Sequence, residues 1–309
     1  MAKFKMKKLA LALGMVAGGM SLVPAAQAVN LATDGLGQAL VFPYYTVRDG
    51  WNTLFNITNT SAEVVAFKIR FHEGRNSRDV FDFNVFLSPY DVWTGWVEYD
   101  EAGGARFNTN DNSCTAPPIP SGGQTFEGNG ANGTLAYTGT AADGGGTTVD
   151  RLREGYVTII VMGTADDLTV SSTLTPLAAN AVHSTTTGLP LNCAALVNAF
   201  NNPSYAYHDS AAGVASGINA LKAEFPNYVL NPLKGAFSLV KGSEGWNATG
   251  SATTLANFYL GEDDPAVSGT ILNLVTFQLP PATAPGGFVN SFHEPDLASS
   301  NTRGWVLTA

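Results

Sequence analysis

Histidine followed by glutamate occurs twice in this 309-residue chain, as His72-Glu73 and His293-Glu294. The pair is the opening of H-E-x-x-H, in which two imidazoles one helical turn apart hold zinc and the glutamate activates water. Neither occurrence completes it, because Asn76 and Leu297 stand where the second histidine is needed. Zinc wants three or four converging ligands, and His72, His183, His208 and His293 form no such group in sequence. Serine chemistry fares no better. Gly213-Val214-Ala215-Ser216-Gly217 lacks the G-x-S-x-G spacing and lies in a helical pattern rather than at a strand-to-helix turn. Ser238-Leu239-Val240-Lys241 spells S-x-x-K, but in a strand-like run that turns Ser238 and Lys241 to opposite faces. No catalytic residue and no metal ligand is assigned.

Three other groups of residues invite a binding or covalent role. Asp166-Asp167, Glu262-Asp263-Asp264 and Asp111 between Asn110 and Asn112 are acidic loops of a kind that can supply oxygen ligands to calcium. None carries the D-x-D-x-D-G pattern, so solvated acidic loops are expected and no cofactor is called for. Trp51, Trp93 and Trp96 lie near Tyr44, Tyr45 and Tyr90. Exposed together on one face they would form a sugar-stacking platform, whereas packing into core and sheet edge would end that role. Cys114 and Cys193 are the only cysteines. With no C-x-x-C spacing they are expected to form one structural disulfide, closing a loop of about 80 residues.

The elements that must position these residues are mostly strands. Val65, Phe67, Ile69 and Phe71 alternate with Val64, Ala66, Lys68 and Arg70. Phe81, Phe83, Val85 and Leu87 alternate likewise with Val80, Asp82, Asn84 and Phe86. Period-two patterning of this kind predicts an antiparallel sheet with one buried and one solvated face. Tyr156 to Met162 is apolar on both faces and predicts a central strand. Further strands are expected over Gly235–Lys241, Ala252–Leu260 and Ile271–Leu279. Residues 103–150 are rich in glycine and asparagine and read as a long loop with one hairpin near Thr134–Thr138. Residues 174–225 carry helical spacing, with Cys193, Leu196, Val197 and Phe200 on one face, and read as a small helical insertion. The expected class is mainly β, an antiparallel β-sandwich, Ig-like or jelly-roll, with that insertion as a cap.

Compartment and charge follow from the N-terminus. Four lysines, an apolar stretch from Leu9 to Val23 and Ala26-Gln27-Ala28 predict a signal peptide over residues 1–28, with residues 29–309 as a single mature domain. No transmembrane segment is expected in the mature chain. Cleavage lowers Lys+Arg from 16 to 12 against 25 acidic residues, taking net charge from −9 to −13. Nucleic acid and anionic lipid, which need a basic face, are therefore poor partners, and no nucleic-acid partner is expected.

The segments LVFPYYTVRDGWNTLFNITNTS and NSRDVFDFNVFLSPYDVWTGWV, with REGYVTIIVMG, TGLPLNCAALVNAF and LKGAFSLVKG further on, resemble a set of uncharacterised secreted or cell-surface β-sandwich proteins of Gram-negative bacteria. The resemblance implies a surface or extracellular location, secreted or periplasmic, and carries over no catalytic residues. The expected function is that of a non-enzymatic surface or extracellular-matrix protein. Its partners are copies of itself or other surface and matrix components, joined by strand addition into filaments with Val29–Gly37 as the lent segment. A carbohydrate-binding module or a hydrolase of an extracellular polymer is the alternative.

Overall fold

A computed structural model of the chain describes residues 29–126, 144–166, 168, 176–201, 225 and 231–258. The expected leader, the hairpin near Thr134–Thr138, the strand over Ile271–Leu279, His208, His293, Ser216 and the acidic residues 167 and 262–264 lie outside the described residues. So does the helical pattern from Ala211 onward, apart from Phe225.

The described chain runs through β1 (Asn30–Leu31), β2 (Ala39–Thr46), β3 (Asn52–Asn59), β4 (Val64–Glu73), β5 (Asp79–Leu87), β6 (Val92–Asp100) and β7 (Gly104–Asn108). It continues through β8 (Cys114–Ala116), β9 (Gln124–Thr125), β10 (Glu154–Ala165), helix α1 (Cys193–Asn201), β11 (Leu233–Lys241), β12 (Trp246–Ser251) and β13 (Thr253–Ala256). Seven strands form one sheet in the order β1-β13-β2-β10-β4-β5-β8, and six form a second in the order β12-β11-β3-β6-β7-β9. Every pairing is antiparallel. The architecture is the mainly antiparallel β-sandwich that the alternation predicts.

The two sheets meet on aromatic side chains. Phe71 of β4 has ring neighbours at 5.7 Å (Tyr45), 5.7 Å (Phe55), 5.7 Å (Phe81), 5.6 Å (Phe107) and 5.1 Å (Phe126), drawn from both sheets and from the residue after β9. Each fully buried ring of this size stabilises the fold by about 1.5–3 kcal/mol. The six-stranded sheet keeps its expected solvated face: in β3, Thr53, Phe55 and Ile57 are buried while Leu54 and Asn56 are exposed. Strand β10 is central as expected, hydrogen-bonded to β2 on one side and β4 on the other.

Three expectations need correction. The second face of β4 and β5 is buried, not solvated: Val64, Ala66 and Phe86 pack with Met162 and Ala165 beneath Ala178, Ala181, Leu196 and Phe225. Lys68, Arg70 and Asp82 are buried on that same face, where the Asp82 carboxylate lies 3.8 Å from Lys68 Nζ and 3.7 Å from Arg70 Nε. Alternation reports two unlike faces, and here the polar one is covered too. Within the stretch 103–150 the described residues hold three strands, because Ala105, Phe107 and Phe126 anchor this chain in the core. Its glycines serve close approach: a Cβ on Gly104, at φ +76°, would meet the Val149 carbonyl oxygen. Finally, β12 was not expected at all, since Trp-Asn-Ala-Thr-Gly-Ser has little strand patterning of its own.

Cys114 and Cys193 are bonded, with Cα atoms 5.2 Å apart and a sequence separation of 79. Cys114 opens β8, paired with Phe86 of β5 at the edge of the seven-stranded sheet. Cys193 opens α1, where the Asn192 side-chain oxygen accepts the Ala195 amide at 3.1 Å as an N-cap. The cystine therefore fastens α1 over the β8 edge rather than tethering a loose loop. Cys114→Ser or Cys193→Ser is expected to lower stability by about 2–4 kcal/mol, with new proteolytic cuts near β8 and α1. Thermal melts and limited proteolysis check this; reduction that leaves both unchanged would contradict it.

Candidate functional site

The fold assembles one serine-histidine-aspartate group that the sequence did not suggest. Ser88 and Asp91 close the turn between β5 and β6, and His183 arrives from the segment before α1. Asp91 Oδ2 accepts from the Ser88 hydroxyl at 3.1 Å and the Ser113 hydroxyl at 3.2 Å, and lies 3.3 Å from His183 Nδ1. Ser88 Oγ also contacts His183 Nδ1. A proton relay needs the hydroxyl at one imidazole nitrogen and the carboxylate at the other. Both meet the same nitrogen here, so the group works as a polar knot that ties the β5–β6 turn to the α1 segment.

Among the described residues, His72 and Asp111 are likewise engaged by the protein itself. His72 Nδ1 donates to the Ser77 carbonyl at 3.3 Å, Nε2 is bonded to the Thr158 hydroxyl at 3.0 Å, and the ring stacks on Tyr156. Asp111 accepts from the Thr94 amide at 3.0 Å and from the Ser113 amide at 2.9 Å. Among the described residues, no group of three or more His, Cys, Asp or Glu could hold a metal ion. Nor is any described helix long and apolar enough to cross a membrane.

The three candidate tryptophans do not share a face. Trp93 is fully buried, stacked on Phe107 at 5.6 Å between the sheets. Trp96 is half-buried on the outer face of the six-stranded sheet, its Nε1 donating to Glu98 at 3.1 Å. Trp51 stands just before β3, and its neighbour is Trp246, 60% exposed, at a ring separation of 6.5 Å. Trp246 is the binding-type residue that reading the sequence missed. The signal was the twice-occurring Gly-Trp-Asn, at Gly50–Asn52 and Gly245–Asn247. The two strings look unrelated along the chain, yet they flank β11 from either side. Val240 pairs with both Asn52 and Asn247, and Lys241 with Trp246. Each glycine takes a left-handed turn, at φ +80° and +69°, and each tryptophan lands beside Lys241. The Lys241 ammonium lies 5.9 Å from the Trp246 ring centroid and 2.6 Å from the Glu244 carboxylate.

The same strand is an open sheet edge. Five of the six residues of β12 are exposed, and none is charged or proline. The Ala252 amide donates to the Gly235 carbonyl at 2.9 Å. Continuing that register turns the main chains of Gly250 and Ala248 toward β11 and leaves those of Asn247, Thr249 and Ser251 pointing away from the sheet. The other edges among the described residues are protected: β1 and β9 have two residues each, and β8 is three buried residues beside α1. Val29–Gly37 is not a free segment either. Asn30 and Leu31 pair with Ala256 and Leu255, and Gly37 bridges to Leu233.

Compared with protein-family models, curated proteins and solved structures, the chain finds no match.

Beside the sandwich core lies a buried carboxylate that serves structure. Glu73 accepts from Arg151 Nη2 at 2.7 Å and from the amides of Arg75, Asn76 and Arg78 at 2.8, 2.9 and 3.1 Å. Burial pushes its pKa up, but the Arg151 guanidinium and the three amides together outweigh it and hold the carboxyl below its usual range. A lowered folded-state pKa contributes stability that is present above the unfolded value and is lost as pH falls through the folded one. Arg151→Ala, which strands the charge, is expected to cost about 3–5 kcal/mol. Denaturant melts of the native protein and Glu73→Gln from about pH 7 down to about pH 3 should show their stability gap closing as pH falls; a gap that stays constant would contradict the assignment.

Proposed function

We propose that the protein is a non-enzymatic, exported surface or matrix component that works by accepting a partner strand at the β12 edge. One observation carries the reading. β12 is a six-residue edge left exposed and uncharged in a molecule whose other described edges are short or covered. Natural sheets blunt such edges with charge, proline or a covering element when pairing is harmful. The leader-like N-terminus and the Cys114–Cys193 bond support export to an oxidising compartment. Because Val29–Gly37 is paired within its own chain, the added strand comes from elsewhere.

Thr249→Pro tests this directly. Proline is tolerated where an edge amide points to solvent, so the fold and its melting temperature should be retained. Strand addition loses that amide and meets the ring, and association measured by light scattering should weaken by at least about tenfold. Added salt should strengthen association of the native chain by screening its acidic surface. A native protein that stays monomeric at every concentration and salt, with no partner strand on β12, would refute the reading.

A second reading, carbohydrate binding, rests on the convergence of Trp51 and Trp246. Two adjacent indoles flanked by the Lys241 ammonium and the Glu244 carboxylate offer a ring face for stacking and charged groups for hydroxyls. Titration with soluble polysaccharides should quench tryptophan fluorescence, and Trp246→Ala should abolish the quenching without unfolding the protein. Quenching that survives in the variant would exclude this corner as the site.

A further inference from the structure

We infer that the strand received at this edge is β12 of a second copy, paired antiparallel about a two-fold axis through Thr249. The inference rests on strand addition at β12 as proposed above and names its partner. The main-chain groups free to bond are those of Asn247, Thr249 and Ser251. With the axis at Thr249, each of these meets another of the same set. Thr249 faces Thr249 of the other copy, and Asn247 faces Ser251.

No neighbouring register does as well. An axis placed between two residues sets outward-pointing groups against inward-pointing ones. An axis at Ala248 pairs Asn247 with Thr249 but sets Ser251 against Gly245, and one at Gly250 pairs Thr249 with Ser251 but sets Asn247 against Thr253, so each leaves one outward residue of β12 without a counterpart in the partner's β12. Moving it to Asn247 runs the partner strand into the Gly242–Gly245 turn. Moving it to Ser251 runs it past Ala252, where the chain leaves for the other sheet and Thr253 pairs with Val41.

The side chains fit the Thr249 register. On the outer face it sets threonine against threonine and asparagine against serine, pairs that favour an antiparallel ladder. On the inner face Ala248 lies beside Gly250, which has no side chain because Phe237 occupies the space a Cβ would need. Trp246 lies beside Ala252. Although the chain carries a net charge of −9, β12 carries none, so the contact itself opposes no like charges. Such a contact is isologous and closes on itself. With the other described edges short or covered, it yields a closed pair with a twelve-stranded sheet, two six-stranded sheets joined edge to edge, rather than a fibre. A single short edge is a small interface, so the dissociation constant should be on the order of micromolar.

Cysteine trapping reads out both partner and register in the full mature chain. Across a hydrogen-bonded pair, Thr249→Cys brings two Cα atoms to about 5.5 Å, within disulfide reach. Asn247→Cys keeps its own counterpart about 14 Å away along the strand. Oxidation should therefore give covalent dimer with Thr249→Cys, little with Asn247→Cys alone, and dimer again when Asn247→Cys is mixed with Ser251→Cys. Addition of Thr249→Lys should remove the native pair in light scattering while leaving the melting temperature unchanged. If the native chain associates and Thr249→Pro blocks it, yet Thr249→Cys traps no more dimer than Asn247→Cys, the two-fold register is wrong and the edge reading stands. If the chain is monomeric and the amides of Asn247, Thr249 and Ser251 resist hydrogen exchange, a segment of the same chain fills the edge and this inference falls.

Discussion

Everything in this fold hangs from the aromatic contact made at Phe71. Its ring touches side chains of both sheets, and through Phe107 and Phe126 it also holds the glycine-rich chain beyond β6. Edge-to-face and tilted ring contacts are directional, so the cluster sets the spacing of the sheets and limits how they slide. Trp93, stacked on Phe107 and in contact with Phe67 and Phe83, extends the same cluster toward the start of β6. A tryptophan in that position cannot also meet a ligand. The core thus takes one of the residues whose type most invited a binding role.

A sandwich whose interior is this apolar must manage its edges, and the molecule treats them unequally. The β8 edge is covered by α1, and the cystine makes that cover permanent in an oxidising compartment. The β1 and β9 edges are too short to template a long strand. β12 has neither device, although Glu244, two residues before it, and Lys241, paired with Trp246 across the hairpin, place charge beside it. Among the described residues, this corner combines an open edge with two convergent tryptophans.

Residue types that suggest catalysis are used here for cohesion. Ser88, Asp91 and His183 join segments about 95 residues apart in the chain, and Glu73 with Arg151 joins β4 to the turn before β10 at a separation of 78. In each case the carboxylate accepts several donors from different segments. That satisfies buried polar groups and fixes loop positions.

Much of the fold could be read from local patterning alone. The strands β4, β5, β10 and β11, the helix at Cys193 and the partnership of the two cysteines all follow from period-two or helical spacing, turn residues and an even cysteine count. Those features depend on neighbours within a few residues, or on there being only one possible pairing. What decided the rest was contact between distant segments. Whether Lys68 and Asp82 face water depends on what covers the sheet, whether residues 104–125 form strands depends on Phe107 and Phe126 reaching a core made elsewhere, and β12 is a strand because β11 offers it a ladder. Trp51 and Trp246 stand 195 positions apart and become neighbours only because β3 and β12 flank the same strand. Side-chain alternation is a local property of the backbone, whereas burial and convergence belong to the packed sheets, and no window of sequence contains them.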